Sequence, residues 1–159
     1  MSIGVTIAIN GLAGALDALG KLAALPRAEL ADGLARLGAS QSQRRIETEK
    51  RSPEGAAWVA NREGGSILFR TGSNLRDSID HRSTDTVAAW GTGWIGARVH
   101  QFGATIRPKD GGRLAFMVGG KQVFARSVTI PPRPYLGVSA DNARELEETA
   151  QRFISQVLK

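Results

Sequence analysis

The sequence predicts an α+β fold, a mostly antiparallel sheet packed by long N-terminal helices and a C-terminal helix. Helical periodicity sits at the two ends of the chain, whereas short apolar runs punctuated by glycine crowd the middle. No internal repeat is visible, and 159 residues suit one domain spanning 1–159.

Ile3, Val5, Ile7 and Ile9 alternate with Gly4, Thr6 and Ala8, the period-2 pattern of a half-buried strand. Asn10-Gly11 turns the chain, and Asn10 suits an N-cap. Leu12, Leu16, Leu19, Leu22 and Leu25 then recur along one helical face. Pro26 cannot continue that helix but fits the first turn of the next, over roughly 27–51. This second helix begins with Leu30, Leu34 and Leu37 and turns polar from Gln41 to Arg51, so its start is expected to pack and its end to be solvated or partner-bound.

Ser52-Pro53-Glu54-Gly55 stops the helix, and Trp58 lies in the loop beyond. Ile67-Leu68-Phe69 is a short apolar run, and Thr71-Gly72-Ser73-Asn74 turns into Leu75–Ile79. Thr86–Trp90 reads as a buried strand broken by Gly91-Thr92-Gly93, and Ile95–Phe102 as a two-turn helix ended by Gly103. Thr105–Pro108 is a short strand. Leu114–Val118 and Val123–Thr129 flank Gly119-Gly120 as a β-hairpin. The prolines hold Ile130–Pro134 extended, and Ser139 or Asp141 opens a last helix carrying Leu146, Ala150, Phe153, Ile154, Val157 and Leu158 on one face.

Hydrophobic residues make up 42% and charged residues 23%, which excludes wholesale disorder. No run approaches the ~18 apolar residues of a membrane span, so no membrane association is expected. Met1–Val5 lacks the basic start of a signal peptide. With no cysteine and two histidines, thiol chemistry is excluded, a protein-built metal site is not expected, and a reducing compartment is. The net charge of +6 and a pI of about 10.5 suggest an anionic partner, either nucleic acid or an acidic protein surface.

Candidate chemistry is sparse. Gly91-Thr92-Gly93-Trp94-Ile95-Gly96 matches GxGxxG, with Asp110 near the spacing of a ribose-binding acid. Gly103 and Pro108, however, leave no room for the crossover of at least ~10–12 residues that a dinucleotide site needs. His100 has no nucleophile motif to serve and is expected to be a hydrogen-bonded packing residue. Asp77, Asp80 and Asp85 near His81 follow no metal-loop spacing. No catalytic residue, cofactor or metal is therefore expected. The basic run Arg44–Arg51 is interrupted by Glu47 and Glu49, with Glu47 placed to pair with Arg51, and lacks interleaved aromatics for stacking bases.

Ile130-Pro131-Pro132-Arg133-Pro134-Tyr135-Leu136-Gly137 is different in kind. Three prolines in four residues stiffen the backbone, so that Arg133 is expected to stand away from the body as an arm while Tyr135 and Leu136 anchor it. The plainer reading is a stiff linker that positions the last helix.

Four segments together resemble the phage virion morphogenesis family, tail-completion proteins of Mu-like and related contractile-tailed phages. They are Pro53–Trp58; Ile67–Gly72 with Leu75–Ile79; Gly91-Thr92 with Ala97–Ile106, which contains His100-Gln101-Phe102-Gly103; and Ile130–Gly137. The likeness runs from about residue 27 to the C-terminus, and Gly96-Ala97 stands where the family often has Tyr-Ala. It implies a structural virion protein at the head–tail junction, assembled in the host cytoplasm, with no reaction and no cofactor. Relatives complete the tail or neck, and related folds form rings, often six-membered.

The expected function is a homo-oligomeric ring, a hexamer by that likeness, which completes or terminates the tail or joins it to the neck. Its partners would be copies of itself, the tail tube and neck or connector proteins, with non-specific contact to genomic DNA. The interface is assigned to Arg133, Pro134 and Tyr135 on one side and to His100, Gln101 and Phe102, or the adjacent glycine-rich loops, on the other. The alternative is a basic DNA-binding accessory protein.

Overall fold

The computed structural model describes residues 12–61, 64–68 and 74–159. The strand expected at 3–9 lies outside them, as do Phe69 and the turn at 71–73. The described chain runs α1 (Leu12–Ala23), α2 (Arg27–Arg44) with a π turn (Arg45–Glu49), α3 (Asn74–Asp77), β1 (Ile79–Ser83), β2 (Ala88–Thr92), α4 (Ala97–Phe102), β3 (Ala104–Ile106), β4 (Leu114–Val118), β5 (Lys121–Ala125), β6 (Val128–Ile130) and α5 (Ala140–Leu158). This is the expected α+β fold. Its strands pair as three antiparallel ribbons, β1–β2, β3–β6 and β4–β5, in place of one continuous central sheet.

α2 is the organising element, packed against β1, β2 and α5. Its buried positions, Ala31, Ala35, Gly38 and Ala39, recur at three- and four-residue steps, and their small side chains let neighbours approach the backbone closely. Trp90 of β2 takes that space: a Cβ on Gly38 would stand 2.5 Å from its ring, and its Nε1 donates to Ser42 Oγ at 3.1 Å.

The same buried face continues through Gln41, Ser42, Arg45 and Ile46. The expectation that the polar end of this helix is solvated or partner-bound is therefore corrected for this face, while Arg44, Glu47 and Thr48 are exposed. Leu30, Leu34 and Leu37 are only half-buried, whereas Gln41, Ser42 and Arg45 are fully enclosed. Polar groups are tolerated there because the fold supplies partners: Gln41 Nε2 donates to Asn142 O at 3.2 Å and to Glu145 Oε2 at 2.9 Å.

The helix ends in a π turn, and Lys50 takes a left-handed conformation with φ of 54°. Arg51 thus lies beyond the helix and is not one turn from Glu47. The expected Glu47–Arg51 pair is replaced by Glu47 with Arg76, and Glu49 pairs with Arg44 at 3.1 Å.

β1 was not expected: Ile-Asp-His-Arg-Ser carries one buried side chain, Ile79, and is held by pairing with β2 and by α2. β2 lies two residues later than the expected strand and contains Gly91 and Thr92, which do not break it. It is half-exposed, not buried. β4 and the turn at Gly119-Gly120 fall where the sequence puts them, α4 begins two residues later than expected and β3 runs over 104–106 in place of 105–108, and the run after the turn divides into β5 and β6, because β6 leaves the hairpin to pair with β3.

α5 begins at Ser139, whose Oγ accepts from Asn142 N at 3.2 Å in a capping box. The core joins Ala39, Ile46, Trp58, Leu75, Ile79 and Tyr135, with Trp90, Trp94 and Leu136 packed against it.

Candidate functional site

Of the segments that carry the family likeness, 53–58 and 97–106 bond to the extended stretch 130–137, and Leu75 and Ile79 share its core cluster with Tyr135. Gln101 of α4 reads its backbone as a strand would: Oε1 accepts from Tyr135 N at 3.0 Å and Leu136 N at 3.1 Å, and Nε2 donates to Leu136 O at 3.1 Å. Arg133 N donates to His100 O at 2.8 Å, and Trp58 Nε1 donates to Pro134 O at 3.2 Å. From the other side, Arg45 Nη1 donates to Tyr135 O at 2.8 Å and Gly137 O at 2.9 Å, while Nη2 pairs with Asn142 Oδ1.

Two glycines permit this convergence. Gly103 has φ of 73°, and a Cβ there would stand 2.9 Å from Ile130 O and from Pro132. Gly137 has φ of 138°, and its Cβ would reach 2.6 Å from the Pro53 ring. Both positions combine a left-handed backbone with a close approach that only glycine allows.

The arm expected at Arg133 is corrected accordingly. Arg133 is 7% exposed and folds inward, its Nε and Nη2 donating to Val59 O at 3.1 and 2.9 Å. Tyr135 is fully buried, which pushes its phenol up to about 12. The prolines fix an extended backbone, as expected, but that backbone lies in the body, where its carbonyls attract donors from three elements. Pro134 is half-buried in the same seam. The stretch is a seam that positions α5, not a projecting limb.

His100 stacks on Trp94, with ring centroids 5.6 Å apart and planes 13° from parallel. Burial, then the charge of Arg133, lowers its pKa, so the imidazole is held neutral. Its Nδ1 is buried without a hydrogen-bond partner among the described residues, where this histidine packs by stacking and not, as expected, by hydrogen bonding. Of the sequence-assigned interface residues, Phe102 faces outward, 71% exposed.

The GxGxxG stretch runs from antiparallel β2 into the six-residue α4 and on to antiparallel β3, which is not the strand–helix–parallel strand frame of a dinucleotide site. In the basic run, Arg44 pairs with Glu49 and, at 3.0 Å, with Glu145; Arg45 is buried; Lys50 Nζ donates to Ile67 O at 2.9 Å. These cations are engaged by groups of the same chain, Arg45 within the core and Arg44 at the surface. His81 contacts Asp32 at 3.4 Å and Asp80 at 3.5 Å, and no group of three or more potential metal ligands stands together among the described residues.

Sequence reasoning missed Arg45, Asn142 and Gln41, the polar side chains that lock α2 to the seam and to α5. A signal was present: positions 31, 35, 38, 42 and 45 keep an unbroken three-to-four-residue spacing through the change from apolar to polar.

Outside the seam, several apolar side chains of the described residues are uncovered, Phe102 and Ile95 among them, and two elements group them. α1 exposes Leu16, Leu19 and Leu22, and the β4–β5 hairpin exposes Met117 and Phe124 at 60% and 56%. No described helix is long and apolar enough to cross a membrane.

A small α+β body braced by a polar seam, with apolar faces left open at its surface, has the character of an assembly component. The model of the phage virion morphogenesis family matches residues 7–155, and the chain belongs to that family, whose members are structural and generally non-enzymatic. No curated protein and no solved structure matches the chain.

Proposed function

We propose that the protein is an assembly unit of the phage head–tail junction. Copies associate head-to-tail into a closed ring that completes or terminates the tail, or joins it to the neck. Family membership across residues 7–155 carries the reading. The uncovered side chains of Leu16, Leu19 and Leu22, grouped on one helix, and of Met117 and Phe124, grouped on one hairpin, support it, since grouped exposed apolar side chains mark interaction sites where scattered ones do not. A closed ring needs two unlike surfaces on each subunit, related by a rotation that divides the circle. The open surfaces lie on different elements, a helix and a hairpin, as such an interface requires.

The test is electron microscopy of tails made without this chain, before and after the purified protein is added. Density at the tail end nearest the head, with restored joining to heads, is the expected result. Tails that remain bare would overturn the reading.

A further inference from the structure

Register divides the β4–β5 hairpin into two faces, because directly opposed residues of an antiparallel pair point the same way. Leu114↔Ala125 and Phe116↔Val123 lie on one face; Ala115↔Phe124 and Met117↔Gln122 lie on the other. Leu114, Phe116, Val118 and Ala125 are half-buried, whereas every residue of the second face is exposed. The hairpin makes no substantial contact with another helix or strand among the described residues. A two-stranded hairpin alone is marginally stable in water, and this one presents Ala115, Met117 and Phe124 to it.

Charge is segregated along the chain as well. Residues 104–130 hold five cations, Arg107, Lys109, Arg113, Lys121 and Arg126, all exposed, against one carboxylate, Asp110. Their net of +4 is most of the chain's +6. Arg113 and Arg126 sit at the base of the hairpin, immediately outside its paired residues. α5 has the opposite balance: Asp141, Glu145, Glu147 and Glu148 against Arg144 and Arg152. Beside it packs α1, whose Lys21 Nζ reaches Leu158 O at 3.5 Å and whose Leu16, Leu19 and Leu22 are uncovered.

We infer that the outer face of the β4–β5 hairpin docks on the α1–α5 face of a second copy of this chain. Met117 and Phe124 cover Leu16, Leu19 and Leu22, and the basic flank of the hairpin meets Glu147 and Glu148. The match is both apolar and electrostatic, and complementary charge selects and orients the partner. A duplex nucleic acid would satisfy the arginines but would leave the leucines uncovered, so the second copy is the better fit. The inference rests on the assembly reading above and names its interface.

Mass measurement of three full-length proteins tests it, with melting curves to verify folding. They are the unmodified chain, a hairpin variant (Arg113→Glu with Arg126→Glu) and a helix variant (Glu147→Arg with Glu148→Arg). Each variant alone should lose association with its melting temperature unchanged, and an equimolar mixture should regain it, because each interface in the mixture again pairs opposite charges. Multimers of undiminished mass in both variants would overturn this interface while leaving ring assembly standing. An unmodified chain that stays monomeric both free and on tail tubes would remove assembly itself. Loss of binding to a labelled DNA duplex in the hairpin variant, with assembly intact, would overturn the inference and assign the face to phosphate.

Discussion

The guanidinium of Arg45, fully buried at the end of the long helix, donates to the carbonyl of Tyr135 at 2.8 Å. The two residues lie 90 positions apart, and the same guanidinium also holds Gly137 O and Asn142. One side chain thus ties α2 to the seam and to the first turn of α5. Burial lowers the pKa of Arg45, yet an arginine remains charged at any ordinary pH, so its acceptors must stay in place. Glu49 Oε2 stands 3.7 Å from Nε and supplies part of the countercharge.

Arg45→Ala should destabilise the protein by about 3–5 kcal/mol, because it strands buried acceptors and opens a cavity. For a chain of this length that is roughly a 10 °C fall in melting temperature. Arg45→Met, which fills the space without hydrogen bonds, should cost less. Thermal unfolding of both variants checks the order.

Two glycines of the same helix should respond oppositely to alanine. A methyl at Gly33 would meet nothing within 4 Å, so Gly33→Ala should gain about 1 kcal/mol from helix propensity. Gly38 faces the Trp90 ring, and overpacking by about 1–3 kcal/mol should outweigh that gain. Denaturant midpoints that move in opposite directions are expected; two stabilised variants would mean that Trp90 does not lie on Gly38.

Arg133→Ala should lower the melting temperature, since its guanidinium is bound internally to Val59 O. Gln101→Ala should do the same by freeing two backbone N–H groups of the seam, each unsatisfied buried group costing about 1–3 kcal/mol. An unchanged melting temperature with defective assembly would restore Arg133 to the surface.

The lowered pKa of His100 gives a pH dependence of defined sign. Above the unfolded value of about 6.5 the ring is neutral in both states and its contribution is complete. As pH falls from there through the lower folded value, the unfolded chain takes up the proton first and stability is lost. His100→Phe, which keeps an aromatic ring against Trp94, should flatten this acid limb of the melting temperature against pH. An unaltered limb would place the titration elsewhere.

The helices were legible because their apolar spacing and stop signals agree: Pro26 between α1 and α2, Gly103 after α4 and Ser139 before α5 all mark observed boundaries. β1 was not, since Asp80, His81 and Arg82 show no apolar alternation, and pairing with β2 makes that segment a strand. The seam was legible as an extended segment, but its direction was not. Whether Arg133 points to water or to Val59 depends on a carbonyl 74 residues away, and a guanidinium bound to backbone looks the same in sequence as a solvated one. The polar end of α2 misled for the same reason, because its acceptors come from residues near the C-terminus.

Ring assembly at the head–tail junction stands or falls on the mass of the purified protein, measured free and bound to tail tubes. A closed ring requires a discrete multiple of the 16.9 kDa chain, of fixed copy number, at the tube end. A single chain under both conditions, or an open series of sizes that never closes, would contradict it.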